Sequence, residues 1–243
     1  MKKALVVGGA SGIGLAIATL LSAQSDVEKV YIVDRADVDP KWMQNKFECY
    51  RFDLNEKDYS IFDRFNDIDT LMITAGFGKL ALFKDIEESY IVDTINVNAA
   101  AVMRIIHRFF SKINSAEDFY CGVMVSIAGF MSSPFFSVYG ASKAALKIFI
   151  ESVNVELEKA GSSNRILNVS PGSIKGTAFA GGDNDLTVTE QLASEIIEHL
   201  YAKDDLFIPQ YEEVYKEVLR RYNEDFREEG RHSYDYKLKS GRL

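Results

Sequence analysis

A tyrosine and a lysine four residues apart, Tyr139 and Lys143, can carry acid/base chemistry if they lie on a helix. Residues at i and i+4 share one helix face, so the phenol and the ammonium would point into one cleft. A neighbouring ammonium favours tyrosinate and is expected to lower the tyrosine pKa from about 10, which makes the phenol an acid/base near neutrality. Such pairs also occur by chance, and Ser126 strengthens the interpretation. It ends an apolar run at what would be the carboxyl edge of a sheet, where open α/β folds bind ligands.

A glycine cluster follows the first apolar run and opens a helical pattern, with the sequence Gly8-Gly9-Ala10-Ser11-Gly12-Ile13-Gly14. Glycines let the backbone turn tightly and approach a pyrophosphate, which then sits on the free N–H groups at the positive end of the helix. Asp34, 20 residues after Gly14, closes the second run; its carboxylate can accept ribose hydroxyls and would repel a 2′-phosphate. Within the loop no basic residue precedes Gly12, where Ser11 stands, and this also favours NAD. Arg35 keeps NADP open as the less favoured alternative.

The composition is that of a globular protein with an acidic balance. The chain has 243 residues, with 28 Lys+Arg against 36 Asp+Glu and a formal net charge of -8. This charge argues against nucleic-acid binding, which requires a basic face. Apolar residues make up 47% of the chain, too many for a disordered protein. Cys49 and Cys121 stand in no disulfide or zinc spacing, which indicates a reducing cytoplasm.

The amino terminus has two interpretations. Lys2 and Lys3, followed by an apolar run to Ala23, are typical of a secretory signal. Glycines between positions 8 and 14 interrupt the run, which favours a strand, a glycine turn and a helix instead. No other segment approaches the roughly 18–20 apolar residues that spanning a bilayer requires, so no membrane association is expected.

Apolar runs and helical stripes alternate along the chain, which is typical of βαβ units and a parallel sheet. The predicted strands cover residues 3–8, 30–34, 47–52, 70–74, 122–126, 165–170 and 205–208. The predicted helices cover residues 13–23, 56–65, 87–113, 138–160 and 188–202. The sequence therefore predicts an α/β fold: a doubly wound, Rossmann-like parallel sheet of about seven strands with helices on both faces.

The carboxyl-terminal segment differs from the rest in composition. Residues 212–243 hold eight acidic and eight basic side chains, and apolar residues recur at helical spacing from Tyr211 to Tyr222. The spacing predicts an amphipathic helix packed on the same domain or on a neighbouring subunit. The mixed charges argue against a membrane-surface helix, which would be mainly basic. We expect one catalytic domain over residues 1–243, with 210–243 as an atypical helical tail.

Taken together, these motifs resemble those of the short-chain dehydrogenase/reductase family. Residues 7–14 are similar to the family's TGxxxGxG fingerprint, with Val7 in place of its threonine. Tyr139-x-x-x-Lys143 with Ser126 is similar to its active site. The loop spacing resembles that of the single-domain branch and not the TGxxGxxG of the extended forms. The resemblance covers roughly the first 208 residues and implies a dinucleotide-dependent oxidoreductase.

The resemblance implies a role for each active-site residue. Tyr139 corresponds to the family's general acid/base, and Lys143 to the residue that holds the nicotinamide ribose and lowers the tyrosine pKa. Ser126 corresponds to the donor that orients and polarises the substrate oxygen. The family's fourth catalytic residue is an asparagine whose backbone supports a proton-relaying water. We assign it to Asn96, with Asn98 as the alternative.

The same resemblance implies a set of cofactor-binding residues. Besides Tyr139 and Lys143, they are Gly8, Ser11, Gly12, Ile13, Gly14, Asp34, Arg35, Asp53, Leu54, Ala75, Gly76, Pro171, Gly172, Ile174 and Thr177. The family's carboxamide-binding threonine lies four residues after Gly172, where this chain has Gly176. Either the loop holds one extra residue and Thr177 takes the role, or the contact is lost. Thr74 replaces a family asparagine, which is expected to alter bonding between strands more than chemistry.

The sequence thus predicts reversible hydride transfer between NAD and a small secondary alcohol or its ketone. One alternative is an NADPH-dependent carbonyl reductase, which Asp34 disfavours. Another is a non-catalytic NAD-sensing protein, which would not need the Tyr, Lys and Ser set. The resemblance implies a homodimer or homotetramer formed through the helices near 87–113 and 138–160. The glycine-rich residues 181–185 are expected to be the mobile part of a lid.

Overall fold

The computed structural model describes residues 2–177, 179 and 184–239, and within them the chain forms one seven-stranded parallel sheet. The strands are β1 (Lys3–Val7), β2 (Lys29–Asp34), β3 (Phe47–Arg51), β4 (Thr70–Ile73), β5 (Tyr120–Met124), β6 (Ile166–Val169) and β7 (Leu206–Phe207). They lie in the order β3-β2-β1-β4-β5-β6-β7, and each neighbouring pair is parallel.

Helices cover both faces of this sheet. They are α1 (Gly12–Ala23), α2 (Glu88–Ile95), α3 (Ala101–Ile113), α4 (Ser137–Lys159), α5 (Leu186–Ala202), α6 (Lys216–Glu224) and α7 (Phe226–Lys239). Alternating residues of β1 pack on opposite faces of the sheet, because successive side chains of a strand point in opposite directions. Leu5 and Val7 belong to the core shared with α3 and α4, whereas Ala4 and Val6 belong to the core shared with α1 and α5. The predicted doubly wound, Rossmann-like fold is confirmed.

The candidate catalytic and cofactor-binding residues lie at the carboxyl edge of the sheet. Strands β2 and β3 lie on one side of β1, and β4 to β7 lie on the other. A crevice opens at such a switch point, outside the carboxyl ends of the strands. Gly8, Thr74, Ser126 and Pro171 follow β1, β4, β5 and β6 at this edge, and Asp34 ends β2.

One predicted helix is shorter and tighter in the structure. The helix expected over 56–65 is a 3₁₀ helix over Ser60–Phe65. The Asp58 carboxylate accepts from the first N–H of this helix at 2.8 Å, which fixes where it begins. Phe62 and Phe65 are both buried, and a 3₁₀ helix places residues three apart on the same side.

The carboxyl-terminal tail forms a π-helical turn (Tyr211–Tyr215) followed by α6 and α7, and it packs over the loop between β5 and α4. The centroid of the Tyr234 ring lies 4.5 Å from that of Phe135 in this loop. The Lys237 ammonium donates a hydrogen bond to the Pro134 carbonyl at 2.8 Å. The apolar spacing in the sequence predicts the first of these helices but not α7.

Neither a helix that could cross a membrane nor a cluster of metal ligands occurs among the described residues. None of their helices is both long enough and apolar enough to cross a bilayer. Among the same residues, no three His, Cys, Asp or Glu side chains converge as metal ligands.

Candidate active site

The glycine loop after β1 forms a cradle that leaves no room for a side chain at Gly8 or Gly14. Gly8 has a φ of +87°, which glycine adopts without strain, and its N–H donates to the Val33 carbonyl at 2.8 Å. A Cβ at Gly8 would lie 2.4 Å from the Ala75 nitrogen. A Cβ at Gly14 would lie 2.2 Å from the Gly8 carbonyl oxygen. Both positions therefore require glycine.

Thr74 closes this cradle from the end of β4. Its hydroxyl donates to the Val7 carbonyl at 3.1 Å and lies 3.0 Å from the Gly8 carbonyl oxygen. The Ala75 N–H also donates to the Val7 carbonyl, at 3.1 Å. The threonine thus bonds the end of β4 to the start of the glycine loop.

The amino terminus of α1 presents a backbone donor, the Gly12 N–H, that has no acceptor within the helix. Ser11 caps the helix without a side-chain hydrogen bond, and the first turn carries no acidic residue. The Gly12 N–H donates to the side-chain oxygen of Asn184 at 2.9 Å, so this group binds an oxygen acceptor from outside the helix. Ile13 follows and is buried. A side-chain-free cradle with a donor at the positive end of a helix fits the pyrophosphate of a dinucleotide.

Asp34 is held at the end of β2 by two backbone groups. One carboxylate oxygen accepts from the Ala10 N–H at 3.0 Å, and the other accepts from the Ala36 N–H at 3.1 Å. Ala10 belongs to the glycine loop, so the carboxylate is tied to the cradle itself. The structure therefore places the predicted ribose-binding acid beside the predicted pyrophosphate site.

A cavity of about 460 Å³ opens beyond the end of β2. It is lined by Arg35, Arg51, Phe52, Asp53, Glu56 and Asp58. The Arg51 Nε donates to the Arg35 carbonyl at 3.1 Å, so two basic side chains share this cavity. Of the predicted cofactor-binding residues Asp53 and Leu54, Asp53 lines the cavity, whereas Leu54 is buried in the core. Sequence reasoning missed Arg51, because its position on β3 follows no cofactor motif.

The turn after β6 brings three further predicted residues to the same edge. The Pro171 carbonyl accepts from the Ile127 N–H at 3.0 Å, which joins the turn to the segment after β5. Gly172 is partly exposed next in the chain. Ile174 packs against the core on the α1 and α5 face, and its carbonyl accepts from the Thr177 hydroxyl at 3.3 Å.

Thr177 reaches the glycine cradle although it stands one residue later than the family spacing. Gly176 has a φ of +72°, a left-handed conformation that absorbs the extra residue. Thr177 is buried, and its Cγ2 would lie 3.5 Å from a Cβ placed on Gly12. Thr177 thus lies beside the glycine cradle, as the alternative with an extra residue requires, and its role towards the carboxamide stays a prediction.

The structure brings Tyr139, Lys143 and Ser126 together at the start of α4. The Lys143 Nζ lies 5.7 Å from the centroid of the Tyr139 ring and donates to the Met124 carbonyl at 2.8 Å. The Ser126 hydroxyl lies within hydrogen-bonding reach of the Tyr139 side chain, and it accepts from the Ala128 N–H at 3.1 Å. Three groups that can move or orient a proton therefore share one cleft.

Burial governs the protonation of these groups and corrects one expectation. Burial raises the pKa of Tyr139 to about 12, and the hydrogen bond with Ser126 only partly opposes the rise. Burial also lowers the pKa of Lys143 to about 8. The Tyr139 pKa therefore shifts in the direction opposite to the expected lowering, because withdrawing tyrosinate from water outweighs the hydrogen bond with Ser126. The free protein holds Tyr139 as the neutral phenol.

A π-helical turn between α2 and α3, Asn96–Ala100, contains both candidate asparagines. Asn98 is fully buried: its oxygen accepts from the Phe77 N–H at 3.0 Å and its nitrogen donates to the Phe77 carbonyl at 2.8 Å. A Cβ at Gly76 would lie 3.3 Å from both the Asn98 oxygen and the Lys143 Nζ. The Asn98 amide and the ammonium thus lie on the same side of Gly76.

For the fourth catalytic position, which the sequence assigns to Asn96, burial and the closeness of Lys143 support the alternative, Asn98. The Asn96 side chain is exposed. Residues two apart on a helix do not face the same way, so only one of the two amides can lie beside Lys143.

Aromatic rings enclose Tyr139. The ring centroids of Phe136 and Phe179 each lie 5.2 Å from that of Tyr139. A Cβ at Gly78 would lie 2.9 Å from the Tyr139 ring, so this position, which sequence reasoning missed, also packs on it. The surroundings of the phenol are apolar on the side of these rings. Of the predicted lid, residues 181–183 lie outside the described part of the chain.

A family model described as short chain dehydrogenase matches residues 2–186. The chain belongs to the short-chain dehydrogenase family. This short-chain dehydrogenase is 30% identical to the dehydrogenase RED2 of Cochliobolus heterostrophus over 169 residues, which are 67% of this chain and 63% of RED2. It therefore spans less than two thirds of the length of that relative.

Two further proteins are similar to this short-chain dehydrogenase. The 3-oxoacyl-(acyl-carrier-protein) reductase MabA of Mycobacterium avium is 28% identical over 210 residues, which cover 83% of this chain and 76% of MabA. The structure of an alcohol dehydrogenase from Thermococcus sibiricus, complexed with 5-hydroxy-NADP, superposes with a TM-score of 0.70 at 18% identity. That superposition covers 86% of this chain and 95% of the other, and at such identity it shows the shared fold alone.

Proposed function

We propose that this short-chain dehydrogenase is an NAD-dependent oxidoreductase that interconverts a small secondary alcohol and its ketone. The observation that carries the proposal is the cluster of Tyr139, Ser126, Lys143 and Asn98 at the same sheet edge as the glycine cradle. A cradle alone would serve a protein that only binds NAD. A proton-transfer cluster beside it serves catalysis, which argues against a non-catalytic sensor.

The residues of the chain supply orientation and proton transfer. When bound, the dinucleotide supplies the hydride donor or acceptor. During ketone reduction the Tyr139 phenol donates a proton to the substrate oxygen, and the Ser126 hydroxyl orients that oxygen and stabilises its developing charge. Since burial raises the pKa of Tyr139 to about 12, the free protein presents the proton-donating form at neutral pH.

Lys143 and Asn98 are placed to support this proton transfer. The Lys143 Nζ is anchored on the Met124 carbonyl at 2.8 Å, and it lies against the same face of Gly76 as the Asn98 amide. Burial lowers the pKa of Lys143 to about 8, so the ammonium can give up a proton close to neutral pH. These features support Lys143 as the group that holds the ribose and resupplies protons to Tyr139.

The choice between NAD and NADP depends on opposing charges at one end of the crevice. The Asp34 carboxylate, tied to the glycine loop through Ala10, supports NAD because it would repel a 2′-phosphate. Arg35 and Arg51 share the neighbouring cavity and favour the second candidate function, an NADPH-dependent carbonyl reductase. We favour NAD over NADP because Asp34 is hydrogen-bonded to the glycine loop itself.

We expect wild-type enzyme to oxidise members of a panel of secondary alcohols with NAD, and Asp34→Asn to shift its preference towards NADP. The amide keeps an acceptor for the backbone but removes the charge. The ratio of kcat/KM for NAD to that for NADP should fall by roughly 10–100-fold, the worth of one charged hydrogen bond. Initial rates with both cofactors measure this ratio.

Glu56→Gln is the matched control for this experiment, because it removes a carboxylate from the wall of the same cavity without touching the glycine loop. It should leave the ratio unchanged. A wild-type preference for NADP that Asp34→Asn does not alter would exclude Asp34 as the selector. It would favour the carbonyl reductase.

We also propose that copies of this chain pair into a homodimer or homotetramer through α3 and α4. Ile148 and Val155 on α4 are 59% and 56% exposed. A groove of about 1050 Å³ lies beside them, and its walls include Met103, Phe110 and Phe149. Exposed apolar surface of this kind favours burial against a partner.

We also propose that residues 1–243 form one catalytic domain that works in a reducing cytoplasm. The contact of Lys237 with the Pro134 carbonyl supports a tail that belongs to this domain. Cys49 and Cys121 are both free thiols, which fits a reducing compartment.

A further inference from the structure

The carboxyl-terminal tail brings a tyrosine hydroxyl to the turn after β6. Tyr215 is the last residue of the π-helical turn Tyr211–Tyr215. A Cβ placed on Gly172 would lie 1.7 Å from the Tyr215 hydroxyl oxygen and 2.8 Å from its Cζ. The hydroxyl therefore occupies the space that any other residue at position 172 would fill.

A short series of contacts joins this hydroxyl to the catalytic residues. Gly172 directly follows Pro171, whose carbonyl accepts from the Ile127 N–H at 3.0 Å and lies 3.5 Å from the Ser126 hydroxyl. Ser126 in turn is within hydrogen-bonding reach of Tyr139. The Tyr215 hydroxyl thus lies at the same edge of the sheet as Ser126 and Tyr139, against the turn after β6.

The tail holds Tyr215 in place through packed helices. An ion pair of 2.7 Å between Arg221 and Glu229 ties α6 to α7. The Lys237 ammonium ties α7 to the Pro134 carbonyl in the loop that precedes α4. Because both helices are anchored, Tyr215 is a positioned group and not a freely rotating surface side chain.

The Tyr215 hydroxyl is chemically available to a ligand. The side chain is only half-buried, and within residues 2–177, 179 and 184–239 its hydroxyl has no hydrogen-bond partner. Burial raises the pKa of Tyr215, so it remains a neutral phenol that can donate. A donor that is held against the edge of a cleft and has no protein partner is suited to an acceptor oxygen on a bound molecule.

We propose that the Tyr215 hydroxyl hydrogen-bonds a second oxygen of the substrate, on the carbon next to the reacting one. This inference rests on the proposed function and deepens it: the favoured substrates are α-dicarbonyl compounds, α-hydroxy ketones and the corresponding vicinal alcohols. Tyr215 is then a specificity-determining residue. The apolar rings of Phe136 and Phe179 pack against Tyr139 itself.

Reduction of diacetyl, acetoin and butanone by the wild type, Tyr215→Phe and Tyr211→Phe tests the inference. The three ketones have the same four-carbon skeleton and differ in the second oxygen. The wild type should prefer diacetyl and acetoin to butanone. Tyr215→Phe should lose about 5–10-fold in kcat/KM for the two dioxygenated ketones, mainly through a higher KM, and keep its rate with butanone. Tyr211→Phe, an exposed tyrosine of the same turn, should change none of these values.

Each outcome separates this inference from the proposed function. An equal loss for all three ketones, or a lowered melting temperature in Tyr215→Phe, would show a structural role only and overturn the inference. Wild-type reduction of butanone without preference for diacetyl or acetoin would overturn it as well, while leaving the proposed function intact. Failure to reduce any of the three with NADH or NADPH would overturn the proposed function, and the inference with it.

Discussion

Replacing Tyr139 by phenylalanine is expected to lower kcat by about 10²–10⁴-fold, the usual contribution of a positioned acid/base. The substitution removes one hydroxyl and keeps the ring, so the packing against Phe136 and Phe179 persists. The hydroxyl is a partner of Ser126 and takes no part in the glycine cradle. The affinity for NADH should therefore stay within a few-fold. Steady-state rates and an equilibrium titration with NADH measure the two quantities separately.

Tyr120→Phe is the matched control for this experiment. It deletes the same atom at the amino end of β5, at the sheet edge opposite to the site. We expect its kcat to equal that of the wild type. Near-normal turnover in Tyr139→Phe would contradict the role assigned to the phenol, even if the control behaves as expected.

Asn98→Ala is expected to have the second large effect, on stability and activity together. Its amide satisfies both backbone groups of Phe77 in a fully buried position and also donates to the Ser142 hydroxyl at 3.1 Å. Removing it leaves buried polar groups without partners, which should cost about 2–4 kcal/mol of the free energy of unfolding. The melting temperature should fall by roughly 5–15 °C. The kcat should fall as well, because the loop that carries Gly76 beside Lys143 loses its support.

Asn96→Ala, two residues earlier in the same π-helical turn, is the control. The Asn96 side chain is exposed, so the substitution should change the free energy of unfolding by no more than about 0.5 kcal/mol. Thermal unfolding and steady-state rates on both variants separate the two positions. Equal effects of the two substitutions, or a larger one for Asn96→Ala, would reverse the assignment of the asparagine.

The fold and the glycine cradle were predictable from the sequence, because each depends on local backbone requirements. The positive φ at Gly8 and the lack of space for a side chain at Gly14 both require glycine. The glycine spacing that results can be recognised in the sequence. The alternation of apolar runs and helical stripes likewise determines a parallel sheet once the crossovers are helical. Asp34 was predictable for a similar reason, because its place at the end of β2 follows from its distance along the chain from the glycine loop.

Other features depend on packing, which spacing does not reveal. A π-helical turn changes which side chains of a helix face inwards, so Asn96 and Asn98 were not distinguishable in the sequence. Burial raises the pKa of Tyr139, and burial depends on the tertiary structure. The spacing of Tyr139 and Lys143 in the sequence shows only that a positively charged side chain lies near the phenol. The contact between Tyr215 and Gly172 joins segments that are distant in the chain and carry no common motif.

Thermal unfolding of the wild-type protein with NADH, and separately with NADPH, tests most directly whether a dinucleotide binds the glycine cradle beside Tyr139. At about 100 times its dissociation constant, a ligand that binds only the folded protein adds about 2.7 kcal/mol of stability. For a domain of this size that is a rise of roughly 5–10 °C in melting temperature. We predict this rise with NADH and a smaller one with NADPH. An unchanged melting temperature with both dinucleotides would contradict the cradle as a cofactor site and, with it, the proposed catalytic function.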